Sequence, residues 1–225
     1  MTGPAALLLT NNRGFSAHLV MTFEAPSDDA LALSGQLLQR QHKLLFEPDT
    51  GDSQRKHSRT GGFSFIWDVV EGRGYILSEA LQGYAPINST NQFANLVVQR
   101  MTNPLERIEA HLVEQAVATV SANNGKQTTF RLLQATDLNS LAIQIESTNE
   151  SPHFKLTLSK IGFEEPGEEL FLPPDGFTKY VSVEALMNEL IARQQSKRHA
   201  NQSADSDHTG GGRRRHARGV TNGEP

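Results

Sequence analysis

Eight histidines, at positions 18, 42, 57, 111, 153, 199, 208 and 216, are the residues of this 225-residue chain best suited to bind a metal or move a proton. They are scattered. Only His111-Leu112-Val113-Glu114 brings two ligand types close together. In a strand, positions i and i+3 point to opposite faces, so that pair cannot chelate one ion. Paired carboxylates occur at Glu164-Glu165 and Glu168-Glu169, but they flank Pro166-Gly167 and read as a solvated loop rather than an acid/base dyad. Gly72-Arg73-Gly74 is turn chemistry, because no helix follows it to hold a phosphate. Nucleophile-elbow, zinc-protease, phosphate-loop and dinucleotide fingerprints are all missing. With no cysteine, thiolate nucleophiles, thiolate metal sites and disulfides are excluded. A hydrolase would have to be built around His18 with Ser16 or Glu24. The expectation is a protein that is not an enzyme, without catalytic residues, resident metal or cofactor.

Charge separates the chain into parts. Residues 1–195 carry 15 basic and 22 acidic side chains, whereas 196–225 carry six basic and three acidic ones. The latter stretch holds Gly210-Gly211-Gly212 and almost nothing to bury, so it reads as a disordered basic Gly/Arg tail. Its Arg213-Arg214-Arg215-His216-Ala217-Arg218 run lacks interleaved aromatics and hangs from an acidic body, which argues against nucleic acid as the partner. No window approaches the ~18 consecutive apolar residues that span a bilayer. Residues 1–13 form an N-terminal extension whose apolar segment Ala5–Leu9 is a candidate short helix. That segment is too short for a signal peptide. The expected location is therefore the cytoplasm if the start is as given, and the periplasm or another exported compartment if a leader lies upstream.

The elements between are mostly strands. Phe15, Ala17, Leu19, Met21 and Phe23 share one face of a period-2 segment. Further strands are expected at Leu31–Leu38, His42–Phe46, Phe63–Val70, Tyr75–Leu77 and Gly83–Ile87. Four more follow at Leu112–Val120, Thr128–Ala135, Leu141–Glu146 and Phe154–Phe163, with Asn123-Asn124-Gly125 turning a hairpin. The stretch from Asp52 to Gly62 is a basic surface loop. Helical spacing predicts Thr90–Met101 (Phe93, Leu96, Val97 and Met101 on one face, stopped by Pro104) and Ser182 to about Gln195, capped by Ser182. About ten strands and two or three helices, with no βαβ rhythm, make the class mainly β, antiparallel.

The ordered motifs carry a resemblance. Gly14-Phe15-Ser16-Ala17 opens the first strand. Leu33-Ser34-Gly35-Gln36-Leu37 leads into His42-Lys43-Leu44-Leu45-Phe46-Glu47, then come Phe65-Ile66-Trp67-Asp68 and Tyr75-Ile76-Leu77. Late in the chain stand Ala135 to Ile145, Leu156 to Ile161, and Leu170-Phe171-Leu172-Pro173-Pro174-Asp175-Gly176-Phe177 through Tyr180. Over residues 14–195 this resembles the Lol-type outer-membrane lipoprotein carrier superfamily, in its bacterial secreted branch. Lys43-Leu44-Leu45 lacks the family's second basic residue. The resemblance implies a strongly curved half-barrel with covering helices over an apolar cavity. It also implies a lipid or acylated lipoprotein as cargo and an envelope protein as a partner. The residues expected to face that cavity are Phe15, Leu19, Met21, Leu44, Phe46, Phe65, Trp67, Ile76, Leu77, Phe93 and Val97. The alternative is a structural or regulatory protein-interaction module of the same fold without lipid cargo.

Overall fold

The computed structural model describes residues 3–10, 12–24, 31–49, 62–89, 93–103, 105–108, 110–148 and 153–207. Two compact units result, Met1–Leu186 and Met187–Pro225. The first begins with helix α1 (Pro4–Leu9). Strands β1 (Phe15–Phe23), β2 (Leu31–Arg40), β3 (Lys43–Pro48), β4 (Phe63–Asp68), β5 (Arg73–Ser78) and β6 (Gly83–Asn88) follow. Then come β7 (Phe93–Arg100), β8 (Glu106–Ile108), β9 (His111–Ala122), β10 (Gln127–Ala135), β11 (Leu141–Ser147), β12 (Phe154–Gly162) and β13 (Thr178–Lys179). Helix α2 (Val183–Asp207) starts in the first unit and continues as the second. No helix among the described residues is long and apolar enough to cross a membrane.

All thirteen strands form one curved open sheet, in the order β13-β6-β5-β4-β3-β2-β1-β12-β11-β10-β9-β7, with β8 also paired to β9. Every pairing is antiparallel except β13 with β6. The β9–β10 hairpin shows how sequence sets register. Gly125 takes a left-handed φ of 82°, the Ala122 amide donates to the Lys126 carbonyl at 2.8 Å, and the Asn124 side chain accepts from the Lys126 amide. Pro86, which has no amide proton, sits on β6 beyond the point where β13 pairs.

Period-2 alternation sends one set of side chains to each face. On the inner face Phe15, Ala17, Leu19 and Met21 of β1 join Phe130, Leu132, Ile145, Leu156 and Leu158, and α1 packs Ala5, Ala6, Leu8 and Leu9 into the same core. Burying each large member contributes on the order of 1.5–3 kcal/mol. Two smaller clusters lie on the outer face. Leu45, Ile66 and Leu77 pack under Phe171, and Val113, Leu133, Ala135 and Ile143 form the other.

Three differences from the sequence reading matter. The segment expected to be a helix over Thr90–Met101 is the strand β7, in unbroken antiparallel register with β9 from Asn95 to Arg100. Adjacent β-branched Val97 and Val98 favour extended backbone, and β9 supplies the ladder; the helical spacing of four apolar residues does not outweigh both. With β7, the short β8 and β13 bring the strand number from about ten to thirteen. Finally, α2 runs to Asp207, twelve residues past Gln195. The Ser182 hydroxyl caps it by accepting from the Ala185 amide at 3.2 Å, and Ala, Gln, Lys and Arg propagate it well. Residues 208–225 and the basic loop at Asp52–Gly62, apart from Gly62 itself, lie outside the described residues.

Two glycines mark where strands come closer than a side chain allows. A Cβ on Gly35 would run into the Glu47 carbonyl, and one on Gly74 into the Ile66 carbonyl and the Trp67 backbone. Gly35→Ala and Gly74→Ala are each expected to lower stability by more than ~2 kcal/mol. Gly3→Ala, which meets nothing within 4 Å, should leave it unchanged. Thermal unfolding of the three variants checks this, and equal midpoints would contradict it.

Candidate apolar binding site

The inner face holds a hollow. Under the N-terminal end of α1, strands β1 to β4 and β12 leave a cavity of about 310 Å³. Its position follows from register. Met21 stands opposite Leu33 on one side and Leu156 on the other, and Phe23 opposite Leu31 and Phe154. Phe46 stands opposite Leu37 and Phe65. The floor consists of buried Leu19, Met21, Phe46, Ala5 and Ala6. Half-buried Phe23, Leu33, Phe65 and Phe154 form the rim, with Gly3 and Pro4 bordering it on the α1 side. The rim rings are held by tilted stacking: Phe23 and Phe154 lie 6.4 Å apart between centroids, and Phe154 and Phe130 lie 6.0 Å apart. Leu31, 67% exposed, extends the apolar surface next to Phe23. Every described residue lining the cavity is apolar.

Of the residues expected at such a site, Leu19, Met21, Phe46 and Phe65 line it. Phe15, Leu44 and Trp67 belong to the same inner core without touching the cavity. Ile76 is half-buried opposite Phe65, beyond the lining. Leu77 is a correction: it packs with Leu45 and Ile66 on the outer face, because neighbours in a strand cannot both point inward. Val97 is a second correction. It is 46% exposed on β7, since the helix that would have carried it inward does not form. Phe93 begins β7, and its side chain is outside the described residues. The sequence reading left out Phe23, Leu33, Phe154, Gly3 and Pro4 as lining residues. Phe23 shares the face of Leu19 and Met21, and that alternation was the available signal. The small residues of α1 offer no comparable one.

The titratable groups lie elsewhere. His18 Nε2 sits 3.0 Å from Asp49 Oδ2, on the face of β1 opposite Leu19 and Met21. The hydrogen bond from His18, then one from Ser34, holds the Asp49 carboxyl below its ordinary range. His111 and Glu114 do point apart. His111 Nδ1 lies 2.9 Å from Asp137, and Glu114 lies 3.2 Å from Arg100. No group of three or more metal-ligating side chains occurs among the described residues. The carboxylates of the loop after β12 make exposed ion pairs, Glu165 with Arg40 and Glu168 with Lys43. A second hollow of about 270 Å³ opens on the outer face, floored by Leu45, Ile66 and Leu77 and edged by Glu47, Glu79 and Glu169.

No protein-family model and no curated protein sequence matches the chain. Several solved structures resemble it at low identity. A conserved protein of Thermus thermophilus is 8% identical with a TM-score of 0.46, covering 79% of this chain and 97% of its own. A LolA superfamily protein from Nitrosomonas europaea is 13% identical with a TM-score of 0.45, covering 76% and 98%. An outer-membrane lipoprotein-sorting protein domain from Vibrio parahaemolyticus is 13% identical with a TM-score of 0.41, covering 73% and 92%.

The His18–Asp49 pair carries a pH signature. A carboxyl titrating lower in the native state than in the unfolded one stabilises the fold fully above the unfolded value near 3.8. That contribution disappears as pH falls through the lower native value. Asp49→Asn should therefore unfold at a lower temperature than wild type at neutral pH, and the two midpoints should converge in strong acid. A constant offset across the titration would contradict this.

Proposed function

We propose that this protein binds, without catalysis, one acyl chain of a lipid or lipoprotein in the cavity beneath α1. The observation that carries the reading is the lining: eleven described residues, none with a polar side chain. Such a surface has nothing to orient a headgroup or activate a bond, but it is favourable to any apolar chain that displaces water. Burial gains about 25 cal/mol per Å² of apolar surface. The volume is at the lower end of small-molecule sites, which begin near ~300 Å³. A dry apolar cavity of about 150 Å³ already takes a benzene. The half-buried rim leaves a way for a headgroup to stay in water while the chain enters. Methionine at position 21 adapts to chains of differing shape. As a cargo holder of this kind the protein would work in the cell envelope, receiving and passing on acylated molecules in a periplasmic or otherwise exported compartment.

A second reading has one observation in its favour. The outer hollow edged by Glu47, Glu79 and Glu169 suits a protein partner presenting a basic side chain beside an apolar one. The two readings use opposite faces of the sheet and separate cleanly by mutation.

A fluorescent polyunsaturated fatty acid should bind the full chain at one equivalent and be displaced by unlabelled fatty acids. Leu33→Glu puts a charge on the half-buried rim and should weaken uptake by about tenfold or more. Glu79→Gln, on the outer face, should leave uptake unchanged. Absence of uptake by the wild-type chain, or full uptake by Leu33→Glu, would remove the reading.

A further inference from the structure

The two ends of the sheet are treated differently. At one end β13 contributes only two residues and Pro86 interrupts the donors of β6, so that edge is short and blunted. At the other end β7 runs for eight residues and is hydrogen-bonded on one side only among the described residues. The Met101 amide donates to the Gln115 carbonyl at 2.9 Å, and the register continues from Arg100 opposite Ala116 to Leu96 opposite Val120 without a shift. Antiparallel alternation then turns the amides and carbonyls of Met101, Gln99 and Val97 toward β9 and those of Arg100, Val98 and Leu96 away from the sheet.

The middle of that strand carries no edge guard. Residues 93–99 include no charge and no proline, and the one register shift lies at the start, between Phe93 and Asn95. Five of the twelve large apolar side chains exposed among the described residues gather at this end: Val97, Val98, Met101, Leu105 and Leu112. The inner-face row makes the break visible. Phe130 and Ala118 are fully buried, while Val98, one strand further, is 41% exposed. The row stops where another strand would continue it.

We propose that a second copy of this chain supplies that strand, the two β7 edges pairing antiparallel about a two-fold axis at Val97. Leu96 then stands opposite Val98 of the partner subunit, and the outward amides and carbonyls of both strands are satisfied. Charge selects this arrangement. Arg100 is the one charged residue of β7; in the antiparallel pair the two copies of it stand roughly 20 Å apart at opposite ends. A parallel pair would set them side by side. Closure selects it as well: the blunted β6 edge offers no head-to-tail partner for β7, so the like-with-like contact is the one that ends in a closed dimer. No described residue of β7, β9, β10 or β11 lines the cavity beneath α1, so the dimer does not depend on what that cavity holds.

Sedimentation velocity of the full-length chain across a wide concentration range tests this. Dimerisation is expected for wild type. Val98→Pro removes an outward amide and leaves the ladder to β9 intact, and it should give a monomer with an unchanged circular dichroism spectrum. Val97→Lys and Val97→Glu each place like charges against each other on the axis and should each be monomeric, whereas their equimolar mixture should restore the dimer. A wild-type chain that stays monomeric at every concentration would overturn the proposal. So would a dimer that survives Val98→Pro, or charge variants that fail to complement each other.

Discussion

A single curved sheet must cover its inner face, and among the described residues the helix that packs into the inner core is the six-residue α1. Helices of that length are marginal by themselves. α1 has no side-chain cap at its N-terminus and no charged residue to support it, and at its C-terminus the Thr10 hydroxyl donates to the Leu7 carbonyl at 3.1 Å; it exists because Ala5, Ala6, Leu8 and Leu9 are buried against the strands. The rest of the inner face is filled by the strands' own side chains, and their sizes decide where the fill succeeds. Around β9 the inner positions include Ala116 and Ala118, fully buried. Around β3, β4 and β12 they are Phe46, Phe65 and Phe154, whose rings stand about a gap that Gly3, Pro4, Ala5 and Ala6 are too small to close. The hollow is thus the shortfall between the area the sheet presents and the area its helix covers.

That constraint also explains why the chemistry-bearing residues do no work at the site. Each strand has two faces, and His18, Asp49, His111, Glu114 and Asp137 pair off in partly exposed ion pairs outside the cavity lining. Exposed pairs of this kind contribute little. The apolar face carries the stability of the fold and lines the hollow.

Much of the sheet was legible because alternation is a local signal. Phe15 to Phe23 and the Asn123-Asn124-Gly125 hairpin can be read without knowing what they pair with. β7 could not be read that way: Phe93, Leu96, Val97 and Met101 fit a helix as well as the same segment fits a strand, and the non-local ladder to β9 decides. The extension of α2 past Gln195 was hidden for the opposite reason, since a composition with little to bury can still continue a helix already nucleated and capped at Ser182. At the site, Leu19, Met21, Phe46 and Phe65 follow from strand parity, and the same rule, applied strictly, separates Ile76 from Leu77. Phe154 and Leu33 become neighbours of Met21 and Phe23 only through register, which no single segment encodes.

The chain contains four methionines, of which Met21 lies in the cavity and Met101 on the far sheet end. Labelling their methyl groups with carbon-13 and titrating a medium-chain fatty acid gives the most direct look at the hollow by nuclear magnetic resonance. The Met21 methyl should shift and saturate while Met101 stays in place. A Met21 resonance that does not move at saturating fatty acid would show that the inner face takes no chain.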